Sequence, residues 1–432
     1  MPQPYQLKNL FEQGQFEQVA SFWANPDEVA QFSQWDFKDC MNSLYKLKRY
    51  QDCLEVYRVC AKRFPDFHML DDKMGWSVYH TKVKNFDFQQ GNAQTLLKQI
   101  DYVFEHSVDS QYSPRWVLAK FVADAVKNGK FGGERDYTLA VRYLDMVDPG
   151  TLSIEEQTMP EASGKVRRLA SNRESWFSHK TGLLLKLHRY EACMACCDQA
   201  FEALRGVRFH SNNDSWFRYR KAKCLYALNR TDEAKAYVEQ ILKSGFTHWC
   251  LLQLMFEFEA DAGNDAKARS YAGACSLSDP EHKMRVGFYE ELADYLDRNG
   301  DTELPMILRK LVLLLRAEND WKEKNHHSEW HFSADIADMD KQAALNNLIP
   351  IWREWRDKDK VFLTGTIDRL LGEGKSGFIA ADNGSSYYFN ARDLHGKNRR
   401  PSVGMKVRFT LVDKLDKSKG IVKPNAVEIT II

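Results

Sequence analysis

The sequence predicts two kinds of fold in one chain, an all-α helical-repeat array followed by a small all-β barrel. Three observations carry this. A helix–turn–helix pattern recurs with a 34-residue beat over much of the first 320 residues. From Val361 onward the helical period gives way to short alternating runs. At 432 residues the chain is also too long for one ordinary core, so several domains or an array is required.

Composition narrows the class. Apolar residues make up 44% and charged residues 28% of the chain, the balance of a globular protein and not of a disordered one. No apolar run reaches the length of a spanning helix. The opening "MPQPYQLKNLFEQGQFEQVA" lacks the basic start and apolar block of a secretory signal. A cytoplasmic location without membrane contact is expected. Nine cysteines, an odd number spread over a long chain, fit reduced thiols better than a disulfide framework. The net charge of +1 hides an asymmetry, because residues 361–432 carry 12 Lys or Arg against 7 Asp or Glu. A basic final segment favours a polyanionic partner.

Taken in order, the array begins at "EQGQFEQV", whose Gly14 and Phe16 lie 34 residues before Lys48 and Tyr50. The clearest unit is "FKDCMNSLYKLKRYQDCLEVYRVCAKRFPD". Here Phe37, Met41, Leu44, Lys48, Tyr50, Cys53, Tyr57, Cys60 and Pro65 stand at the spacings of a helix, a short turn and a second helix closed by proline. It resembles a tetratricopeptide repeat (TPR), in which small residues sit where two helices approach closely. Further on, "KLHRYEAC", "ALNRTDEA" and "DAGNDAKA" place His188, Asn229 and Gly263 at the same turn, with Cys193, Ala234 and Ala268 following as Cys53 follows Lys48. Ala272, Cys275 and Pro280 complete the last of these units. Between about Phe67 and Ser175 the period is lost, and "GKFGGERD" and "DPGTLSIEEQTMPEASGK" read as loops. Beyond Pro280, "FYEELADYLDRNG" and "LPMILRKLVLLLRAE" continue as helices, the second with an apolar face suited to closing the stack. The TPR resemblance implies a surface that docks a peptide or a protein.

Residues 1–320 are therefore read as the array, 321–360 as a linker or capping segment, and 361–432 as the barrel. Within the linker, "NHHSEWHFSADIADMD" is dense in ligand-type side chains. His326, His327, His331 and Asp335 are candidates for one metal, but they match no known ligand spacing, so a solvated or capping segment is preferred and no metal is expected. The nearby Trp321, Trp330, Trp352 and Trp355 read as packing. In "CMACC", Cys193 and Cys197 fall on small buried positions of a repeat and no second cysteine pair exists, so this too reads as structure. No nucleophile elbow, phosphate loop or kinase signature is present. No enzyme activity and no cofactor are expected.

The final segment supplies five runs: "VFLTGTIDRLL", "SGFIAAD", "SSYYFNA", "MKVRFTLVD" and "GIVKPNAVEITII". Asp382, Asn383 and Gly384 form a turn that tolerates positive φ, joining the second and third as a hairpin. The segment resembles a cold-shock domain, an oligonucleotide-binding (OB-fold) barrel, in its "TGTI", "GFI", "DNGS", "VGMKVRF" and "NAV". That resemblance implies single-stranded RNA or DNA as ligand. By position, Phe378 and Tyr388 correspond to base-stacking aromatics of the family, while Ser376, Asn390 and Ala391 stand where it has two aromatics and a histidine, and Arg369 stands for its first-strand tryptophan. Lys375, Arg392 and the loop cations Lys397, Arg399 and Arg400 are expected to contact the backbone, with Asn390 among the binding residues.

The expectation is a bacterial, cytoplasmic, non-enzymatic adaptor whose array docks a protein and whose barrel binds single strands. Two alternatives remain. One is a pure scaffold or regulator, for example toxin-neutralising or part of a defence system, with a barrel that no longer binds nucleic acid. The other is a metal-dependent nuclease.

Overall fold

A computed structural model describes residues 6–131, 135–161, 164–243, 246–278, 281–395, 400–416 and 421–432. Two compact units make up the chain, Met1–Ala234 and Lys235–Ile432.

The first unit is built of antiparallel helix pairs, and the turn between partners repeats a single device. Gly14, Lys48, His188 and Asn229 all have positive φ, between 56° and 73°. The residue after each sends its N–H back to a carbonyl of the preceding helix: Gln15 to Leu10, Arg49 to Leu44, Arg189 to Leu184 and Arg230 to Leu225, at 2.9–3.0 Å. This left-handed cap satisfies the carbonyls that a helix end leaves open. Five residues later the second helix presents its small residue. Cys53, Cys193 and Ala234 are all fully buried. Cysteine adds a bond that alanine cannot make, since the Cys53 thiol lies 3.6 Å from the Met41 carbonyl and the Cys193 thiol 3.3 Å from that of Thr181. The three thiols of "CMACC" are likewise buried, and burial pushes Cys196 up to about 12. They behave as core.

Lys48 occupies its left-handed site with a side chain, which costs roughly 1 kcal/mol relative to glycine. Lys48→Gly is therefore expected to stabilise the chain by about 0.5–1 kcal/mol, read as a higher urea midpoint at unchanged slope. An unchanged or lower midpoint would contradict this reading of the turn.

Between the clean repeats the helices Asp71–Val78, Ala93–His106, Arg115–Lys127 and Tyr137–Asp145 are joined by longer connections, and the first runs into a π-helical turn, Tyr79–Val83. These connections break the 34-residue beat. The stretch expected to be loop, residues 148–165, contains β1 (Gln157–Pro160), which forms a hairpin with β2 (Val166–Leu169) just beyond it, Gln157 opposite Leu169. Nearly every side chain in it is exposed, so no apolar alternation was present to announce a strand. Of the other predicted loop, residues 132–134 lie outside the described residues.

In the second unit the same cap recurs at Gly263, Gly300 and Asp320, and Ala268 fills the small slot. Ala272 and Cys275 are buried as the repeat requires, while Pro280 lies outside the described residues. Helix Lys341–Asp357 then packs against helix Asp265–Leu277. Its Trp352 is fully buried and stacked on Tyr289, ring centroids 5.6 Å apart at 6°. The contact is close enough that a Cβ on Gly273 would lie 2.3 Å from the Trp352 carbonyl oxygen. The later part of the segment read as a linker or cap is thus a helix packed against the array.

The barrel follows. Its strands β3 (Leu363–Leu371), β4 (Ser376–Ala381), β5 (Ser386–Asn390), β6 (Leu394–His395), β7 (Lys406–Asp416) and β8 (Ile421–Ile431) run in the order β5-β4-β3-β7-β8-β6. Parallel pairing of Tyr388 with Asn425 and of Phe389 with Ala426 closes the sheet on itself. Ile367, Ile379, Phe389, Val407, Phe409, Ala426 and Ile429 fill the interior. The fold is thus a TPR-like helical-repeat array plus a small closed barrel. Among the described residues no helix is long and apolar enough to cross a membrane.

Candidate nucleic-acid interface

The outer face of β3, β4 and β5 is set by strand alternation. Ile379 and Phe389 point into the barrel and are fully buried, so their neighbours Phe378 and Tyr388 point outward, half-buried. The two lie directly opposite each other across the β4–β5 pair, with ring centroids 5.6 Å apart at 74°. On β3 a bulge falls between Ile367 and Arg369, and the extra residue, Asp368, resets the alternation. Arg369 is thereby placed opposite Phe378, its guanidinium carbon 4.7 Å from the ring centroid. A cation, a ring and a second ring form one contiguous row across three strands.

Glycine at 377 is dictated by packing, because a Cβ there would sit 2.3 Å from the Arg369 carbonyl oxygen and 2.8 Å from the buried Phe389 ring. At the strand end, Ala391 N–H donates to the Lys375 carbonyl at 3.0 Å, and Asn390 Oδ1 accepts from Arg392 N–H at 3.0 Å, capping a short helical turn. These bonds bring the backbones of Lys375 and Arg392 to one edge of the row. Among the described residues the Asn390 NH2 group has no hydrogen-bond acceptor. Lys375, Arg369, Arg392 and Arg400 are exposed; Lys397 and Arg399 lie outside the described residues.

Two cations escaped the sequence reading. Thr364 and Thr366 of β3 pair with Arg408 and Lys406 of β7, so both basic side chains extend the same outer face. The Arg408 guanidinium stands 4.3 Å from the Phe362 ring centroid. The signal was present in "MKVRF", where Lys406 and Arg408 alternate with Val407 and Phe409, both fully buried. Such a surface offers π-faces and guanidinium planes for stacking and cations for phosphate oxygens.

The metal candidates separate. His326 and His327 converge on Glu290, with Nε2 atoms 3.9 and 3.4 Å from its carboxylate oxygens, and among the described residues these three form a group of ligand type. His331 and Asp335 are not part of it. The chemistry of the group opposes a metal. The Lys324 backbone N–H donates to His327 Nδ1 at 3.2 Å, which leaves the proton of a neutral ring on Nε2, the atom that faces Glu290. Glu290 is also claimed by Arg316 at 3.3 Å and by the Lys324 ammonium. Burial alone would raise its carboxyl, yet these cations hold it below the usual range. Burial lowers His327, whose ring stacks on Trp330 at 4.3 Å. The group is a partly buried ion cluster that ties the capping segment to helix Val286–Arg298.

A family model described as "Domain of unknown function (DUF7017)" matches residues 215–349, a minority of the chain. No curated protein matches it. Among solved structures, the chain is similar to one titled "Crystal Structure of P58(IPK) TPR Domain at 2.5 A", at 15% identity, covering 82% of this chain and 94% of that one with a TM-score of 0.21.

Proposed function

We propose that this chain is a cytoplasmic, non-enzymatic adaptor, in which the helical array docks a protein while the barrel, similar to a cold-shock domain, binds single-stranded RNA or DNA. The observation that carries the nucleic-acid half is the row Arg369–Phe378–Tyr388, flanked by exposed Lys375, Arg392, Lys406 and Arg408. Neighbouring bases stack on such a row with little regard to sequence, and the cations follow the backbone. The protein-docking half rests on the TPR-like array, whose stacked helix pairs present an extended surface. Joining the two in one chain raises the effective concentration of a protein partner on a nucleic acid.

The test is a fluorescence-anisotropy titration of the full chain with labelled single strands across a series of salt concentrations. Binding in the micromolar range, falling steeply with salt, is expected. Lys375→Ala and Arg408→Ala should weaken all sequences alike and each reduce the salt slope by about one. Absence of binding at low salt by the folded chain would remove the nucleic-acid half. A second reading, a pure protein scaffold or regulator, is favoured by one observation: Ser376, Asn390 and Ala391 supply no rings where the cold-shock resemblance calls for two aromatics and a histidine. Under that reading a captured protein complex survives nuclease treatment and depends on the barrel.

A further inference from the structure

In the first unit, helices Gln6–Glu12 and Gln34–Lys46 border a cleft of about 690 Å³ lined by Phe11 and Trp35, by three carboxylates, Glu12, Asp36 and Asp39, and by two lysines, Lys8 and Lys38. This lies within the size range of ligand sites. The carboxylates differ in what already holds them. Asp36 Oδ2 accepts from the Ser33 N–H at 2.8 Å and hydroxyl at 2.6 Å, completing a helix cap. Glu12 has Lys8 at 3.8 Å, both side chains largely exposed. Asp39 is only 9% exposed, and among the described residues its carboxylate accepts no hydrogen bond and joins no ion pair. Burial raises its pKa, against the longer-range pull of the Lys38 and Lys8 ammonium groups, neither of which bonds to it. A largely buried carboxylate without hydrogen-bond donors is costly, and a ligand bringing both N–H donors and positive charge lowers that cost.

The aromatic wall accepts the same chemistry. Trp35 is 52% exposed, and the Lys38 ammonium already rests 5.3 Å from its ring centroid. An alkyl stem can lie along Phe11 and Trp35 while its charged end reaches Asp39. The volume exceeds one such side chain, which suits a segment of polypeptide.

We propose that this cleft receives a lysine or arginine side chain from a basic segment of a partner protein, with Asp39 as its counter-charge and Trp35 as its wall. The proposal deepens the protein-docking half of the reading above and rests on it.

The probe is a short labelled peptide of alternating lysine and serine, titrated into the full chain at low salt. Saturable binding is expected. Asp39→Asn should weaken it by about tenfold or more, the loss of one charge-assisted hydrogen bond, and Trp35→Ala should also weaken it. Asp66→Asn, which removes an equal charge at an exposed position elsewhere, should leave it unchanged. Thermal melts and circular dichroism establish that the variants are folded, and Asp39→Asn should melt no lower than the parent because its amide avoids the desolvated charge. Equal effects of Asp39→Asn and Asp66→Asn would overturn the site as mere surface charge. Equally tight binding of an alternating glutamate and serine peptide would overturn it too. If 1,5-diaminopentane binds as tightly as the peptide, the cleft takes a free amine and the proposal falls. If the peptide fails while the parent chain still captures a protein from host extract, this site is wrong and the docking reading stands; if both fail, both fall.

Discussion

Phe378→Ala and Tyr388→Ala are each expected to remove about 1–3 kcal/mol of single-strand affinity, roughly 5- to 150-fold, while leaving the salt slope nearly unchanged. The rings contribute by stacking, which releases no counterions, so their loss lowers affinity equally at every salt concentration. Because the two rings touch at 5.6 Å, the double variant should lose less than the sum of the single losses. Arg369→Ala falls between the two classes. It removes a phosphate partner and also the guanidinium that packs 4.7 Å from the Phe378 centroid, so both affinity and slope should decline. The interior neighbours Ile379 and Phe389 are untouched by these changes, and the barrel should keep its thermal midpoint within a few degrees. If the alanine variants bind like the parent, the row is not a stacking platform and the scaffold reading gains.

Gly273→Ala is expected to destabilise the second unit by about 3 kcal/mol or more. The added methyl meets backbone and not a movable side-chain tip: 2.3 Å to the Trp352 carbonyl oxygen and 3.1 Å to the Arg356 nitrogen. Helix Lys341–Asp357 must therefore shift away from helix Asp265–Leu277 or leave it. Either course loosens Trp352 from Tyr289. The consequence can be read in two ways, as a lower denaturation midpoint and as faster proteolysis around residues 341–357. Gly287, where an added Cβ meets nothing within 4 Å, is the matched control, and Gly287→Ala should be neutral or slightly stabilising. A Gly273→Ala chain as stable as Gly287→Ala would mean that the capping helix does not approach as closely as described.

Much of the architecture was legible because it is written in short periods. The left-handed turn at Lys48, His188, Asn229 and Gly263 and the small residue that follows it are local requirements, met within one helix pair and repeated in the next. The barrel strands likewise announce themselves by alternation, and the cold-shock resemblance set Phe378 and Tyr388 on the outer face, where alternation with the buried Ile379 and Phe389 places them. What the sequence did not disclose depends on contacts between distant residues. The β1–β2 hairpin has no buried face and so left no pattern. The bulge at Asp368 changes parity by one residue, a shift invisible until β3 is paired with β4, and it alone sets Arg369 against Phe378. Glu290 meets His326 and His327 from 36 and 37 positions away, drawing part of a run dense in ligand-type side chains into an ion cluster with Arg316 and Lys324. Asp39 looks like an ordinary helix-surface acid in the sequence. Only the tertiary structure shows it largely buried with no donor bonded to its carboxylate, because desolvation is a property of the assembled surroundings and not of the residue.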